Sequence, residues 1–234
     1  MKSRKTNFFL YKNYVALSLI LLLGLFLRLL FFKEITFGYD MARDALESIS
    51  IWTTNHFKLI GPGTDIPGVE HGILWWYLLS PLYFFSQGNV YLVKLFLVFA
   101  SLLNIILIYY FSFNLFKNKT AALFGAFLFA VSFETISYAR WIIHLNPAVF
   151  TIGLTFFGMW LLLSKKSKGL PISLIALALS LHFEFFTLYL VPFVLLSLAF
   201  SHFKKHTKFS KKDFLLSLFS LLLILPFALK ELKS

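Results

Sequence analysis

Long apolar segments separated by short basic stretches constrain the fold of this chain more than any other feature. Five of them contain enough consecutive apolar residues to cross a bilayer as a helix: 14–32, 91–115, 121–138, 147–163 and 214–229. Segment 170–200 is too long for one crossing, so we expect two short helices that turn near residues 182–184. Because 59% of the residues are apolar and only 14% are charged, a soluble fold is excluded. The sequence therefore predicts an all-α polytopic membrane protein.

Lysine and arginine residues flank these segments in four clusters: 2–12, 117–119, 165–168 and 204–212. Basic residues beside membrane spans usually remain in the cytoplasm, so we place all four clusters there. This placement requires seven crossings, with a cytoplasmic N-terminus and residues 1–234 forming one transmembrane domain of the plasma membrane. The net charge of +12 then reflects topology, and we expect no nucleic-acid partner.

The loop after the first span, residues 33–89, is the predicted outer catalytic loop, and the remaining six spans occupy 91–229. It carries six of the ten acidic residues: Glu34, Asp40, Asp44, Glu47, Asp65 and Glu70. Long loops in compact proteins usually carry function. A glycine- and proline-rich stretch at 59–68 and a short apolar helix at 73–85 complete the loop. We expect that helix on the membrane surface, with Trp75 and Trp76 at headgroup level.

An amphipathic helix is predicted to begin at Asp40, which is expected to be its N-cap residue. Helical spacing gives it a polar face: Asp40, Arg43, Asp44 and Glu47. The opposite face is apolar: Met41, Ala45, Ile49 and Trp52. Asp40 and Asp44 are like charges one turn apart, so a cation or a shared proton should compensate them. The alternative is structural, with Asp40 only a cap and Arg43–Glu47 an ordinary ion pair.

Several ionisable residues lie inside or at the ends of apolar segments: Arg28, Lys94, Glu134, Arg140, His144, His182 and Glu184. Such residues are costly in a membrane and are functional candidates by default. For Arg28 and Lys94 the alternative is that the side chains extend to the membrane interface. Binding of a divalent metal by Glu70 and His71 with His182 and Glu184 is a further alternative.

The order of these motifs resembles bacterial membrane glycosyltransferases of the family 39 type, which have the GT-C fold. Relatives of that family include protein O-mannosyltransferases and the lipid A aminoarabinose transferase. The matching stretches are Asp40-Met-Ala-Arg43-Asp44-Ala, Leu59-Ile-Gly-Pro62, His71-Gly-Ile-Leu-Trp-Trp-Tyr-Leu-Leu-Ser-Pro81, Ser137-Tyr-Ala-Arg140, Asn146-Pro147, Leu181-His182-Phe183, and Pro226 with Glu231. Family members are usually longer, so the resemblance implies that this chain corresponds to their N-terminal seven-span module, without their C-terminal part.

The resemblance implies transfer of a sugar from a polyprenyl-phosphate carrier to an acceptor on the outer face. Asp40 then corresponds to the catalytic base, and Asp44 or Glu70 would orient it or raise its basicity. Substrate-binding candidates are Arg43, Arg140, His71, His144, His182, Glu184 and Arg28. The donor is a membrane lipid; the acceptor, whether glycan, lipid or protein, is left open. Alternatives are a carrier-lipid or solute transporter and an inactive fragment or partner subunit of a larger transferase.

Overall fold

The computed structural model describes residues 2–34, 37–54, 57–64, 66–203 and 207–231, with side chains described between residues 13 and 225. Within these ranges the secondary-structure elements are ten α-helices and one 3₁₀ turn. The described residues also contain one isolated antiparallel bridge, between Gly63 and Glu70. The expected all-α fold is therefore confirmed. Asp65 lies outside the described residues, as do the side chains of Pro226 and Glu231.

The helices follow one another along the chain with short connections. They are α1 Lys2–Leu29, α2 Tyr39–Thr53, α3 Leu74–Phe85, α4 Val90–Phe116, α5 Lys119–Val131, α6 Phe133–Arg140, α7 Leu145–Leu163, α8 Gly169–Phe183, α9 Leu190–Phe203 and α10 Lys211–Glu231. The 3₁₀ turn Phe185–Tyr189 separates α8 from α9. Segment 170–200 is thus divided close to residues 182–184, as the sequence predicts.

Three helical stretches of the described chain are long and apolar enough to cross a membrane: Val90–Phe116, Leu145–Leu163 and Phe185–Phe203. A fourth is formed if α5 and α6 count as one span, although they are bent by 55°. The bend occurs at Ser132, whose extended backbone interrupts the single helix expected over 121–138. These stretches indicate a membrane protein, while the count of seven crossings stays a prediction.

The chain divides into two compact units, and the first comprises residues 1–36 and 94–146. Its core is formed by Ile105 of α4 with Ala126 and Ala130 of α5, against which Leu17 and Ile20 of α1 pack. Small alanine side chains allow neighbouring helices in membranes to approach closely, which explains their position at this contact.

The second unit comprises residues 37–93 and 147–234. Among its described residues, an apolar cluster is formed by Met159, Leu177, Leu190 and Val194, contributed by α7, α8 and α9. The helices α2 and α3 pack against each other, and α8 contacts both α3 and α10. This unit therefore contains the described part of the acidic loop from residue 37 onward, together with the helices that support it.

Candidate functional site

Asp44 is the centre of a buried hydrogen-bond network between α2 and α3. Its side chain is only 2% exposed. Oδ2 accepts a hydrogen bond from Trp75 Nε1 at 2.8 Å, and Oδ1 accepts one from Trp76 Nε1 at 2.8 Å. Arg43 adds two donors to Oδ1, from Nε at 3.1 Å and from Nη2 at 3.0 Å. A buried carboxylate with a neutral donor on each oxygen and a charged donor on one of them is held firmly in one orientation.

Asp40 has the opposite environment. Its side chain is 68% exposed, and Oδ1 accepts a hydrogen bond from Arg43 Nη1 at 2.7 Å. Among the described residues, Oδ2 of Asp40 has no hydrogen-bond donor. The expectation that Asp40 caps α2 is wrong, because the helix begins at Tyr39 with Gly38 as the capping residue. Asp40 instead lies in the first turn, where its charge is favourable to the helix dipole.

Arg43 connects the two carboxylates through different nitrogens. Nη1 binds Asp40, whereas Nε and Nη2 bind Asp44. The guanidinium is thus the cation that the like-charged pair was expected to need. The result is a continuous chain of hydrogen bonds, called the relay below, that runs from the buried tryptophans through Asp44 and Arg43 to the exposed carboxylate of Asp40.

The buried face of α2 differs from the predicted apolar face. It consists of Met41, Asp44, Ala45, Ser48 and Ile51. Trp52, expected on the apolar face, is 51% exposed. Trp75 and Trp76 of α3 are 1% and 5% exposed, so they are buried inside the protein, while their depth in the membrane stays a prediction. Their indole N–H groups draw the Asp44 side chain inward, which the periodicity of α2 alone does not reveal.

Tyr83 of α3 shows how enclosed this region is. Burial and, secondarily, the negative charge of Asp44 raise the pKa of Tyr83 to about 12. The phenol therefore stays protonated at physiological pH. No described residue hydrogen-bonds its hydroxyl group.

His71 lies in a short hairpin of the loop and contacts the start of the 3₁₀ turn in the same unit. Its N–H donates to Pro62 O at 2.8 Å, and Gly61 N–H donates to His71 O at 3.1 Å. His71 Nδ1 lies 3.9 Å from Glu184 Oε1 and accepts a hydrogen bond from Phe185 N–H at 3.4 Å. Two of the four residues named in the metal alternative are thereby brought together. Glu70, which immediately precedes His71 in the chain, is half-buried in the bridge to Gly63.

His182 is buried at the end of α8, where its Nε2 donates a hydrogen bond to Leu223 O of α10. Gly72 packs directly against the imidazole ring, and a Cβ at this position would clash with it.

Replacing Gly72 with alanine should therefore displace His182 and lower the free energy of unfolding by about 1–3 kcal/mol, the usual cost of overpacking. Denaturant unfolding of the purified protein measures this. Gly63→Ala is the matched control, because a Cβ there meets nothing within 4 Å; equal stability losses would contradict the clash.

The first unit contains three cations near the C-terminal end of α1: Arg28, Lys94 and Arg140. Lys94 Nζ donates to Phe32 O at 2.7 Å and Glu34 O at 3.0 Å. Arg140 donates through Nε to Arg28 O at 3.3 Å and through Nη2 to Leu27 O. The carbonyls of Leu27 and Arg28 belong to the last turn of α1 and so to the negative end of its dipole, which favours cations. Among the described residues, none of the three forms a salt bridge with a carboxylate, and Nη1 of Arg140 makes no hydrogen bond.

Arg28 is completely buried, which contradicts one of the two interpretations of its position. Its side chain does not extend to the interface. Nε donates to Ser101 Oγ at 3.1 Å, and Nη1 donates to Gly24 O and Ala130 O at 3.0 Å each. Four of its five N–H groups are engaged once the longer contact from Nη2 to Thr135 Oγ1 is included. The guanidinium therefore links α1, α4 and α5.

Replacing Arg28 with methionine should lower the free energy of unfolding by about 2–4 kcal/mol, because buried acceptors lose their donor. Arg28→Lys should recover little of it, since one ammonium group cannot reach acceptors on three helices. Equilibrium unfolding in detergent provides the comparison, with Lys33→Met at an exposed position as the control. A loss no larger than that of the control would show that the network does not stabilise the unit.

The remaining candidate, His144, is half-buried in the connection between α6 and α7. Close by, Asn146 Nδ2 donates to Tyr138 O and Ala139 O, each at 3.2 Å, and so binds the last carbonyls of α6. Asn146 therefore has a structural explanation within the motif Asn146-Pro147.

Sequence reasoning missed the role of Trp75 and Trp76 as ligands of Asp44. One sequence feature could have indicated it: two adjacent tryptophans in a helix too short to span a membrane, which follows a helix with an acidic residue between apolar ones.

Comparison with known proteins gives no match to a family model, a curated protein or a solved structure.

Proposed function

We propose that the chain is a glycosyltransferase that moves a sugar from a polyprenyl-phosphate carrier to an acceptor at the outer face of the plasma membrane. The observation that carries this proposal is the pair Asp40 and Asp44 joined by Arg43. One carboxylate is buried and fully bound, and the other is exposed with a free oxygen. We expect a buried, fully bound carboxylate such as Asp44 to position its neighbour, and an exposed carboxylate such as Asp40 to act as the general base.

The chemistry requires one proton transfer and one leaving group. The acceptor hydroxyl attacks the anomeric carbon with inversion, the bond from that carbon to the phosphate oxygen breaks, and Oδ2 of Asp40 takes the hydroxyl proton. Arg43 holds Oδ1 of Asp40 by a hydrogen bond, and this fixes the orientation of the carboxylate whose second oxygen, Oδ2, takes the proton. Holding the base in place before reaction reduces the entropy cost of the step.

The departing polyprenyl phosphate already carries negative charge and needs cations more than a general acid. Arg43 and Arg140 are our phosphate candidates. Among the described residues, Nη1 of Arg140 makes no hydrogen bond and no carboxylate forms a salt bridge with Arg140. Arg28 is a weaker candidate, since its donors are bound to protein acceptors. His71, His144, His182 and Glu184 remain candidates for contacts to the sugar or acceptor.

The test uses the full chain in proteoliposomes with polyprenyl phosphate carrying a radiolabelled hexose or pentose. The readout is formation of sugar-free polyprenyl phosphate in the presence of a membrane extract, which does not require knowledge of the acceptor. We expect protein-dependent release with the label recovered in a glycosidic product. Movement of intact donor between leaflets without product would favour a transporter. Neither release nor movement would favour an inactive fragment or a partner subunit.

A further inference from the structure

A groove of about 420 Å³ opens on the second unit beside α7, α8 and α10. Most of its wall is apolar: Leu154, Pro171, Ile172, Ile175, Ala176 and Leu216. From Pro171 to Ala176, the wall on α8 extends about 7.5 Å along the helix axis. The groove is thus long enough to take part of an acyl chain lying along the helices.

One end of this groove is polar and basic. Lys168 and Lys212 line it there, and both side chains are exposed. Asp213 also lines it, but its side chain is buried and Oδ2 accepts a hydrogen bond from Ser210 Oγ at 2.6 Å. The backbone N–H of Asp213 donates to Ser210 Oγ at 3.1 Å, so the Ser210 hydroxyl caps α10 and at the same time engages the Asp213 carboxylate. The three side chains together leave a net charge of +1 at this end.

Two further features add positive potential at the same end. Helix α8 begins at Gly169 and α10 begins at Lys211, so two helix N-termini lie beside the lysines. Helix N-termini carry partial positive charge and free N–H groups. Lysine clusters beside spans are also expected on the cytoplasmic side, where anionic lipids are concentrated.

We propose that this groove binds one anionic glycerophospholipid of the cytoplasmic leaflet. Lys168 and Lys212 hold its phosphodiester, and the apolar walls on α7, α8 and α10 hold the upper part of an acyl chain. A phosphodiester monoanion matches the net charge at the basic end. A zwitterionic lipid fits less well, because its own ammonium group is repelled by the lysines. This inference is independent of the proposed enzymatic activity.

The experiment measures lipid retention on the intact chain by native mass spectrometry, with phosphatidylglycerol and phosphatidylcholine as probes. We expect one phosphatidylglycerol to be retained in preference to phosphatidylcholine. The double variant K168Q/K212Q should weaken its binding by about tenfold, consistent with the contribution of lysines at an anionic surface. The matched control K165Q/K211Q removes the same charge from the same two segments without touching the groove, and should change binding less than about twofold.

A second variant tests the apolar part without altering charge. Leu216 is 47% exposed, so L216W can fill the groove without disturbing the core, and it should also reduce retention. Equal retention of both lipids, equal losses in the two lysine pairs, or unchanged binding in L216W would each overturn the proposal. Binding of polyprenyl phosphate in place of phosphatidylglycerol would also overturn it, by assigning the groove to the carrier lipid.

Discussion

Replacing Asp40 with asparagine should reduce sugar transfer by about 10²–10⁴-fold, the usual contribution of a positioned general base. Asparagine keeps the shape and can still accept a hydrogen bond from Arg43, but it cannot take a proton from the acceptor. Folding should hardly change, because Asp40 is exposed and exposed ion pairs contribute little stability. The measurement is initial release of polyprenyl phosphate in proteoliposomes, alongside thermal unfolding.

Glu47→Gln is the matched control for this prediction. Glu47 lies on the same helix, is partly exposed, and pairs with Lys58 as Asp40 pairs with Arg43. Its loss removes one negative charge and one ion pair from α2 without affecting the relay. We expect the control to retain activity. Full activity in D40N, or equal losses in both variants, would overturn the role of Asp40 as base.

Helix positions in this chain follow from local sequence, whereas the partners of its charged residues do not. Apolar length predicts α4 and α7, and the excess length of segment 170–200 predicts its division near residue 183. Each of these is a property of consecutive residues. The bend at Ser132 is harder to predict, because the surrounding residues remain apolar and only one backbone conformation changes.

Asp44 shows why the candidate site could be predicted only in part. Its motif and its proximity to Arg43 are local, and the need for a compensating cation follows from spacing alone. Its burial depends on Trp75 and Trp76, which are more than thirty positions away. Arg28 is similar, since its acceptors Ser101 and Ala130 lie on other helices. Long-range hydrogen bonds of this kind overrule the faces that helical periodicity assigns.

Replacing Asp44 with alanine should lower the free energy of unfolding by about 3–5 kcal/mol, as expected when one partner of a buried charged network is removed. Two buried indole N–H groups then lose their acceptor, and Arg43 loses its buried partner. Asp44→Asn should cost less, because one oxygen remains, although it cannot serve both tryptophans. Transfer activity should fall as well, since Arg43 no longer holds Asp40 in a fixed position. Denaturant unfolding followed by far-UV circular dichroism gives the stability, since the chain contains five tryptophans and their fluorescence would not single out Trp75 and Trp76.

Ser48→Ala is the control for the size of this effect. Ser48 is buried on the same face of α2, and its hydroxyl donates one hydrogen bond to Asp44 O at 2.6 Å, so its loss should cost about 1 kcal/mol. If the tryptophans bind Asp44 as the geometry indicates, replacing both with phenylalanine should make the Asp44→Ala substitution much less costly. An unchanged cost in that background, or an Asp44→Ala cost no greater than that of Ser48→Ala, would show that the buried relay does not stabilise the α2–α3 pair. Asp40 would then lack the fixed support on which its proposed role as base depends.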